Sequence, residues 1–254
     1  MNILVLMKQT FDPEEKIAFQ YGTVSEEGVN FIINPYDEYA IEEALQLRSL
    51  HGGEVTVITV GPEREENGLR TALAMGADKA IIVNSEDLNL DEYSTVKILE
   101  SIIKNREFDI ILAGNVGVDY GSGQIGPRLA EELNIPQVTT ITKLAIVGNE
   151  AVIERDVEGD IEIVLVSLPV LVTAQQGLNE PRYPSLPGIM KAKKKAIERI
   201  EIDDLHIEDV LEVKTITTET FFAPKKGAGR ILEGTIEAQV SELAVLLRSE
   251  AKAI

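Results

Sequence analysis

Gly121-Ser122-Gly123-Gln124-Ile125-Gly126 has the spacing G-x-G-x-x-G. Glycines at such intervals let backbone approach a phosphate, and a helix start offers unpaired N–H groups to an anion. Ser122 and Gln124 add side-chain donors. The motif follows a strand-like run, Phe108–Ala113, and opens a helical one, Gln124–Leu133. A dinucleotide fingerprint turns at once after its strand, with an acidic residue about 20 residues beyond. Here Gly114 to Tyr120 intervene, and no such acid falls on a strand end. The motif reads as a phosphate loop of another kind, with a plain flexible connection as the alternative.

Other residues could join it. In Asn34-Pro35-Tyr36-Asp37, Asn34 suits a helix N-cap, Pro35 the first helical position, and Asp37 with Glu38 the positive helix end. Capping explains them; a ligand role would use Asn34 and nearby backbone against a base or ribose. Lys8–Pro13 and Val60-Gly61-Pro62 each leave a strand. Nothing supplies a nucleophile with a base: G-x-S-x-G, Walker lysine, H-E-x-x-H and EF-hand patterns are all missing from the sequence. No nucleophile–base pair can be proposed from the spacing of these residues.

Composition narrows the classes. The chain has no cysteine, which removes disulfides, thiolate metal sites and iron–sulfur clusters. Its two histidines, His51 and His206, do not make a metal cage. A formal charge of −19 argues against nucleic acid as a partner. No apolar run approaches the roughly 18 residues of a membrane span, so direct membrane insertion is not expected. Met1-Asn2-Ile3-Leu4-Val5 leads straight into a strand-like pattern with no targeting signature, and a cytoplasmic location is expected.

The elements that must position these residues alternate over most of the chain. Asn2–Lys8, Glu54–Val60, Lys79–Val83 and Phe108–Ala113 read as strands. Between them, helical periods cover Asp37–Leu50, the region of Leu69, Ala72 and Leu73, and that of Val96, Leu99, Ile102 and Ile103. This implies an α/β fold with a mostly parallel, doubly wound, Rossmann-like sheet, whose loops at the carboxyl ends of the strands converge in a way that fits a bound nucleotide. After Pro136 the pattern becomes β-rich, with strands expected at Leu144–Val147, Ala151–Arg155, Ile161–Val166 and Val170–Thr173, and a hairpin turn at Gly148-Asn149. Residues 1–199 read as one nucleotide-binding domain. Residues 200–254 read as an arm that ends in an amphipathic helix behind Thr235, packing on its own domain or on a partner subunit.

The run Leu178-Asn179-Glu180-Pro181-Arg182-Tyr183-Pro184-Ser185-Leu186-Pro187-Gly188-Ile189-Met190-Lys191-Ala192-Lys193-Lys194-Lys195 holds three prolines and four lysines. Alone, the lysines are a solvated face or an anion site. With Ile33–Glu38, Arg70–Asp78, Gly114–Ala130 and Arg155–Glu162, the run resembles the electron transfer flavoprotein β subunit along nearly the whole chain. The resemblance implies a heterodimer with an α subunit, an FAD held mostly by that subunit, and an AMP in this chain that is structural. It maps the AMP site to Leu6, Asn34, Pro35, Tyr36, Asp37, Val60, Asp119, Tyr120, Gly121, Ser122, Gly123, Gln124, Ile125, Gly126, Pro127, Arg128, Leu129 and Ala130. Tyr183, Pro184, Ser185, Leu186, Pro187, Ile189, Met190 and Lys191 would form a docking loop for acyl-CoA dehydrogenases, with Leu186 as its apolar anchor. Asp156 would meet an arginine of the α flavin domain, although the family has a longer acid there. Pro13 stands where some members place an aromatic residue near the flavin. Electrons would pass to a membrane quinone oxidoreductase or a similar acceptor. The alternatives are a bifurcating, NADH-oxidising relative with a second FAD in place of AMP, and an adenylate-binding protein without a redox role.

Overall fold

The computed structural model describes every residue except Ile17, Tyr21, Gly22, Asp87 and 208–210, with Phe19, Gln20 and Thr23 described by backbone alone. The chain forms two compact units, Met1–Thr218 and Glu219–Ile254.

In the first unit, β1 (Asn2–Leu6) is followed by the short strands β2 (Gln9–Phe11), β3 (Phe19–Gln20), β4 (Thr23–Val24) and β5 (Phe31–Ile33). Then come α1 (Pro35–His51), β6 (Glu54–Gly61), α2 (Glu66–Met75), β7 (Lys79–Asn84), α3 (Glu92–Ile103), β8 (Ile110–Gly114) and α4 (Ile125–Glu132). The later part holds β9 (Gln137–Val147), β10 (Glu150–Val157), β11 (Asp160–Ser167), β12 (Val170–Ala174), α5 (Leu186–Ala192) and β13 (Glu198–Glu201). Nine strands form one sheet in the order β11-β10-β9-β12-β8-β1-β6-β7-β13. All pairs from β9 to β13 across its centre are parallel, and β9–β10 and β10–β11 are antiparallel.

Burial on both faces explains why the central strands are unbroken apolar runs rather than alternating ones. Ile3, Val5, Val57, Ile110 and Leu112 face α1 and α2, meeting Ile41, Leu45, Leu69 and Leu73. Leu4, Leu6, Ile58 and Ile111 face α3 and α4, meeting Val96, Leu99, Ile103 and Leu129. The expected doubly wound α/β sheet is thus present. From β1 the chain winds outward to β6 and β7, then returns to β8 on the other side of β1. That reversal leaves a crevice at the carboxyl ends of β1 and β8, where this class of sheet binds ligands.

Several boundaries differ from the sequence reading. The first strand ends at Leu6 rather than Lys8, because the Lys8 N–H turns to the Asp37 carboxylate at 2.9 Å. The strand expected at Leu144–Val147 begins at Gln137. Its first residues run parallel to β12 and its last antiparallel to β10, with an irregularity where Thr140 takes a φ of 57° and donates its backbone N–H to the Thr173 hydroxyl. β13, of sequence Glu-Arg-Ile-Glu, is a strand that the sequence reading does not include; it pairs with β7 at the edge of the sheet. In the second unit, α6 (Ile236–Ser249) begins at Thr235, whose hydroxyl accepts the Ala238 N–H at 3.3 Å. None of its residues is buried.

Ile111 lies at the middle of the sheet with no exposed surface. Ile111→Ala is expected to cost about 2–5 kcal/mol of unfolding free energy, read from the urea midpoint at constant slope. A loss well under about 1 kcal/mol would contradict this packing.

Candidate functional site

The crevice is a cavity of about 470 Å³. Its floor is apolar, from Leu6, Ile58, Val60, Leu99 and Ala113. One wall is the loop from Asn115 to Gln124 with the start of α4, and the other comes from residues 89–92 and 215–217.

One side chain sets the distance between the strand ends. The buried Asp37 carboxylate accepts the Lys8 N–H at 2.9 Å through Oδ2. Through Oδ1 it accepts the Gly114 N–H at 3.0 Å and Asn34 Nδ2 at 3.1 Å. The end of β1, the end of β8 and the start of α1 therefore converge on a single group. Burial pushes the Asp37 carboxyl up to about 7, with the bonds from Lys8, Asn34 and Gly114 opposing that rise. A Cβ at Gly114 would lie 2.2 Å from Asp37 Oδ1, so only glycine lets the strand end come this close. Asn34 occupies the N-cap position and Pro35 follows it, as the sequence suggests, but the Asn34 side chain makes no cap bond. It crosses to the long loop instead, donating to the Val116 carbonyl at 2.9 Å and accepting the Val118 N–H at 3.2 Å.

The three glycines of the motif do different things. Gly121 and Gly123 have φ values of 67° and 61°, which only glycine takes without strain. Gly126 sits in the first turn of α4, where a Cβ would meet Thr173 Cγ2 at 2.7 Å, so its role is close helix-to-strand packing. The first N–H groups of α4 have no acceptor further back in the helix, and Ile125 and Gly126 of that turn line the cavity. At the mouth, Lys8 Nζ pairs with Asp119 at 2.5 Å and lies 5.6 Å from the centre of the Tyr120 ring.

Leu6, Asn34, Asp37, Val60 and Asp119 to Gly126 line the cavity together. Pro35, Tyr36, Pro127 and Arg128 are not among its lining residues, and Leu129 and Ala130 are on the buried face of α4, within the core. Sequence reasoning missed Asn89, Leu90, Asp91, Glu92, Thr95 and the Thr215–Thr217 stretch. The only local signal was the cap at the start of α3, where Asp91 and Ser94 exchange side-chain bonds to each other's backbone N–H.

The proline-rich run is not an open loop. Ser185 caps α5, accepting the Gly188 N–H at 3.1 Å. Gly188 lies so close to α2 that a Cβ would be 2.4 Å from the Ala74 carbonyl. Ahead of the helix, Arg182 grips the buried Glu42 with two bonds of 2.7 and 2.9 Å. Behind it, Arg70 Nη1 donates to the Ala192 and Lys195 carbonyls at 2.9 and 2.6 Å. Between these clamps Leu186 is 80% exposed, with Tyr183 and Met190 also uncovered. The lysine cluster is smaller than it reads, since Lys195 Nζ is committed to the Ala77 carbonyl. Asp156 is the last residue but one of β10, far from these groups in sequence, and its Oδ1 accepts the Gly159 N–H of the following turn at 3.5 Å.

Comparison with known proteins agrees along the chain. The electron transfer flavoprotein domain matches residues 21–205. The chain is 59% identical to the electron transfer flavoprotein subunit beta of Bacillus subtilis, with all of both chains covered. It is 42% identical to the protein of the same name from Thermoanaerobacterium thermosaccharolyticum, over 98% of each chain. It is 35% identical to the caffeyl-CoA reductase-Etf complex subunit CarD of Acetobacterium woodii, over 99% of this chain and 98% of that one.

The Asp37 carboxyl has a pH consequence of definite sign. Its folded value of about 7 lies above the ordinary 3.8, so between them the folded protein holds a proton that the unfolded chain has lost. Its stabilising contribution is complete below 3.8 and is lost as pH rises through about 7. Glu65, pushed by burial up to about 6, acts in the same direction. In urea titrations across this range, Asp37→Asn should show a flatter decline of stability with rising pH than the parent. Equal slopes would remove Asp37 from the effect.

Proposed function

The chain belongs to the electron transfer flavoprotein family as a β subunit, and from that premise we propose that it pairs with an α subunit and holds an AMP of purely structural role in the cleft between β1 and β8. The observation that carries this reading is the cleft itself, in which a glycine-shaped loop and a helix start face an apolar floor. Backbone N–H groups around Ser122–Gly126 would take the phosphate, since Gly121 and Gly123 expose backbone there. The base and ribose would lie toward Leu6, Val60 and Asn34. Asp37 would act beneath them by keeping the strand ends at a fixed separation.

FAD, shared with the α subunit and held mostly by it, supplies the electron-carrying chemistry when bound. This chain contributes scaffold and docking. Among the described residues no helix is long and apolar enough to cross a membrane, so contact with a membrane quinone oxidoreductase or a similar acceptor would be made from the protein's own surface. The uncovered stripe of Ile236, Val240 and Leu243 on α6 suits burial on the α subunit. Asp156 is the residue for an arginine of the α flavin domain.

Acyl-CoA dehydrogenases are the proposed donors, met by the clamped segment from Tyr183 to Lys191. A side chain held exposed on a rigid base incurs little ordering cost when it docks. Burying one leucine contributes about 1.5–3 kcal/mol, which suits a short-lived complex. Leu186→Ala should therefore lower kcat/KM for electron uptake from the dehydrogenase by about ten- to hundred-fold, with FAD and AMP content unchanged. Unaltered uptake would remove Leu186 from docking.

One observation favours a second reading. The similarity to a subunit of a caffeyl-CoA reductase-Etf complex fits a β subunit of a bifurcating, NADH-oxidising assembly in which a second FAD replaces AMP. Mass spectrometry of nucleotides released from the denatured heterodimer separates the two. One FAD and one AMP per heterodimer is the expected result; two FAD and no AMP would overturn it.

A further inference from the structure

The wall of the cleft opposite the glycine loop is built from chain that is remote in sequence. Residues 211–218 have no regular structure, yet Thr215, Ile216 and Thr217 line the cavity. One carboxylate holds them there. Asp91 Oδ2 accepts the Lys214 N–H at 2.7 Å, the Thr215 N–H at 2.8 Å and the Thr215 hydroxyl at 3.2 Å. Its Oδ1 is already taken, accepting the Ser94 N–H and hydroxyl, both at 2.9 Å. Asp91 thus caps α3 with one oxygen and ties the strap with the other. Both oxygens are engaged by the protein, so Asp91 is not a ligand-binding group, although it lines the cavity.

Ile216 is 72% exposed although it lies at the cleft wall. An apolar side chain in that place has little to gain from the protein alone and would be covered by a ligand filling the cavity. Lys214 Nζ also pairs with its neighbour Glu212 at 2.7 Å and lies 5.4 Å from the Tyr93 ring centre. Burial alone would raise the Asp91 carboxyl, but the donors from Ser94, Lys214 and Thr215 hold it well below the usual carboxylate range. The tie therefore persists at neutral pH.

We propose that Asp91 is a positioning residue for nucleotide retention: by pinning residues 214–217 it closes the side of the cleft over a bound adenine mononucleotide, and release requires this strap to detach. The inference rests on the adenylate reading of the cleft. It adds a second wall, a route of exit and a residue that controls that route.

The test uses the complete heterodimer loaded with radiolabelled AMP, chased with excess unlabelled AMP. Asp91→Ser keeps an oxygen that can cap α3 but lacks the second carboxylate oxygen that holds the strap. It should release AMP at least about ten-fold faster, with the flavin absorbance unchanged. Ser94→Ala weakens the helix cap and leaves the strap donors in place; it should lower the Tm and release AMP at the parent rate. Release from Asp91→Ser at the parent rate would overturn the inference. Equal acceleration in Ser94→Ala would do the same, because it would assign the effect to the helix end. A parent heterodimer that retains no AMP would remove the adenylate reading and the inference with it. A parent that retains AMP beside an unaffected Asp91→Ser would remove the inference alone.

Discussion

A buried carboxylate that takes donors from three separate segments is the constraint behind this cleft. An ionised or partly ionised acid out of contact with water is costly unless its lone pairs are filled. Asp37 fills them with the backbone of Lys8 and Gly114 and the side chain of Asn34. None of the three can withdraw without leaving the others around an undersatisfied acid. The spacing between the ends of β1 and β8 is therefore set by hydrogen-bond geometry as well as by the sheet. Asn34 passes the constraint on to the loop after β8 through Val116 and Val118. In a dinucleotide fold a tight glycine turn joins strand to helix directly. Here a longer loop does so, and its shape needs the anchor that the α1 start provides.

The segment proposed for docking follows the same logic on the outside of the molecule. Exposing Leu186, Tyr183 and Met190 together is unfavourable for a chain in water, and a floppy run would fold them inward. The grip of Arg182 on Glu42, the Ser185 cap and the close seat of Gly188 on Ala74 prevent that. The prolines restrict the unfolded chain, and the clamps hold the folded one. Rigidity at the base is what allows an apolar tip to remain available.

Much of the architecture could be read from periodicity, because β1, β6, β7, β8 and β12 are buried on both faces and α1 to α3 on one. The exceptions have physical causes. β13 carries three charged residues in four and owes its strand form to pairing with β7, which no local pattern announces. β9 was read short because its first half is a parallel strand with mixed side chains, bent at Thr140. Of the cavity lining, Val60 and the glycine loop are legible from a strand end and glycine spacing, and Leu6 from the family resemblance alone. Leu129 and Ala130 follow the motif but face the core, on the side of α4 that the 3.6-residue period assigns them. The strap could not be foreseen, because it depends on one aspartate that meets Lys214 and Thr215 more than 120 residues later in the chain, at separations of 123 and 124.

The division of polar groups in the cleft bears on what kind of ligand it suits. Asp37, Asn34 and Asp91 direct their hydrogen bonds at the protein's own backbone, and Lys8 is paired with Asp119. A site for bond-making chemistry needs an acid, base or nucleophile free to face the substrate. Under the proposed adenylate reading, backbone N–H groups at the helix start and the apolar floor would hold a phosphate and a flat ring, beside polar lining residues such as Glu92, Thr95, Ser122 and Gln124. Electron transfer demands no proton from such a pocket; it demands that the protein hold its partners at a constant distance. A nucleotide seated across β1, β8 and α4 would brace the three elements that form the cleft, so ligand and fold would stabilise one another by mass action. On the proposed reading the cleft is part of the scaffold, and the segment around Leu186 is the part that would meet a partner.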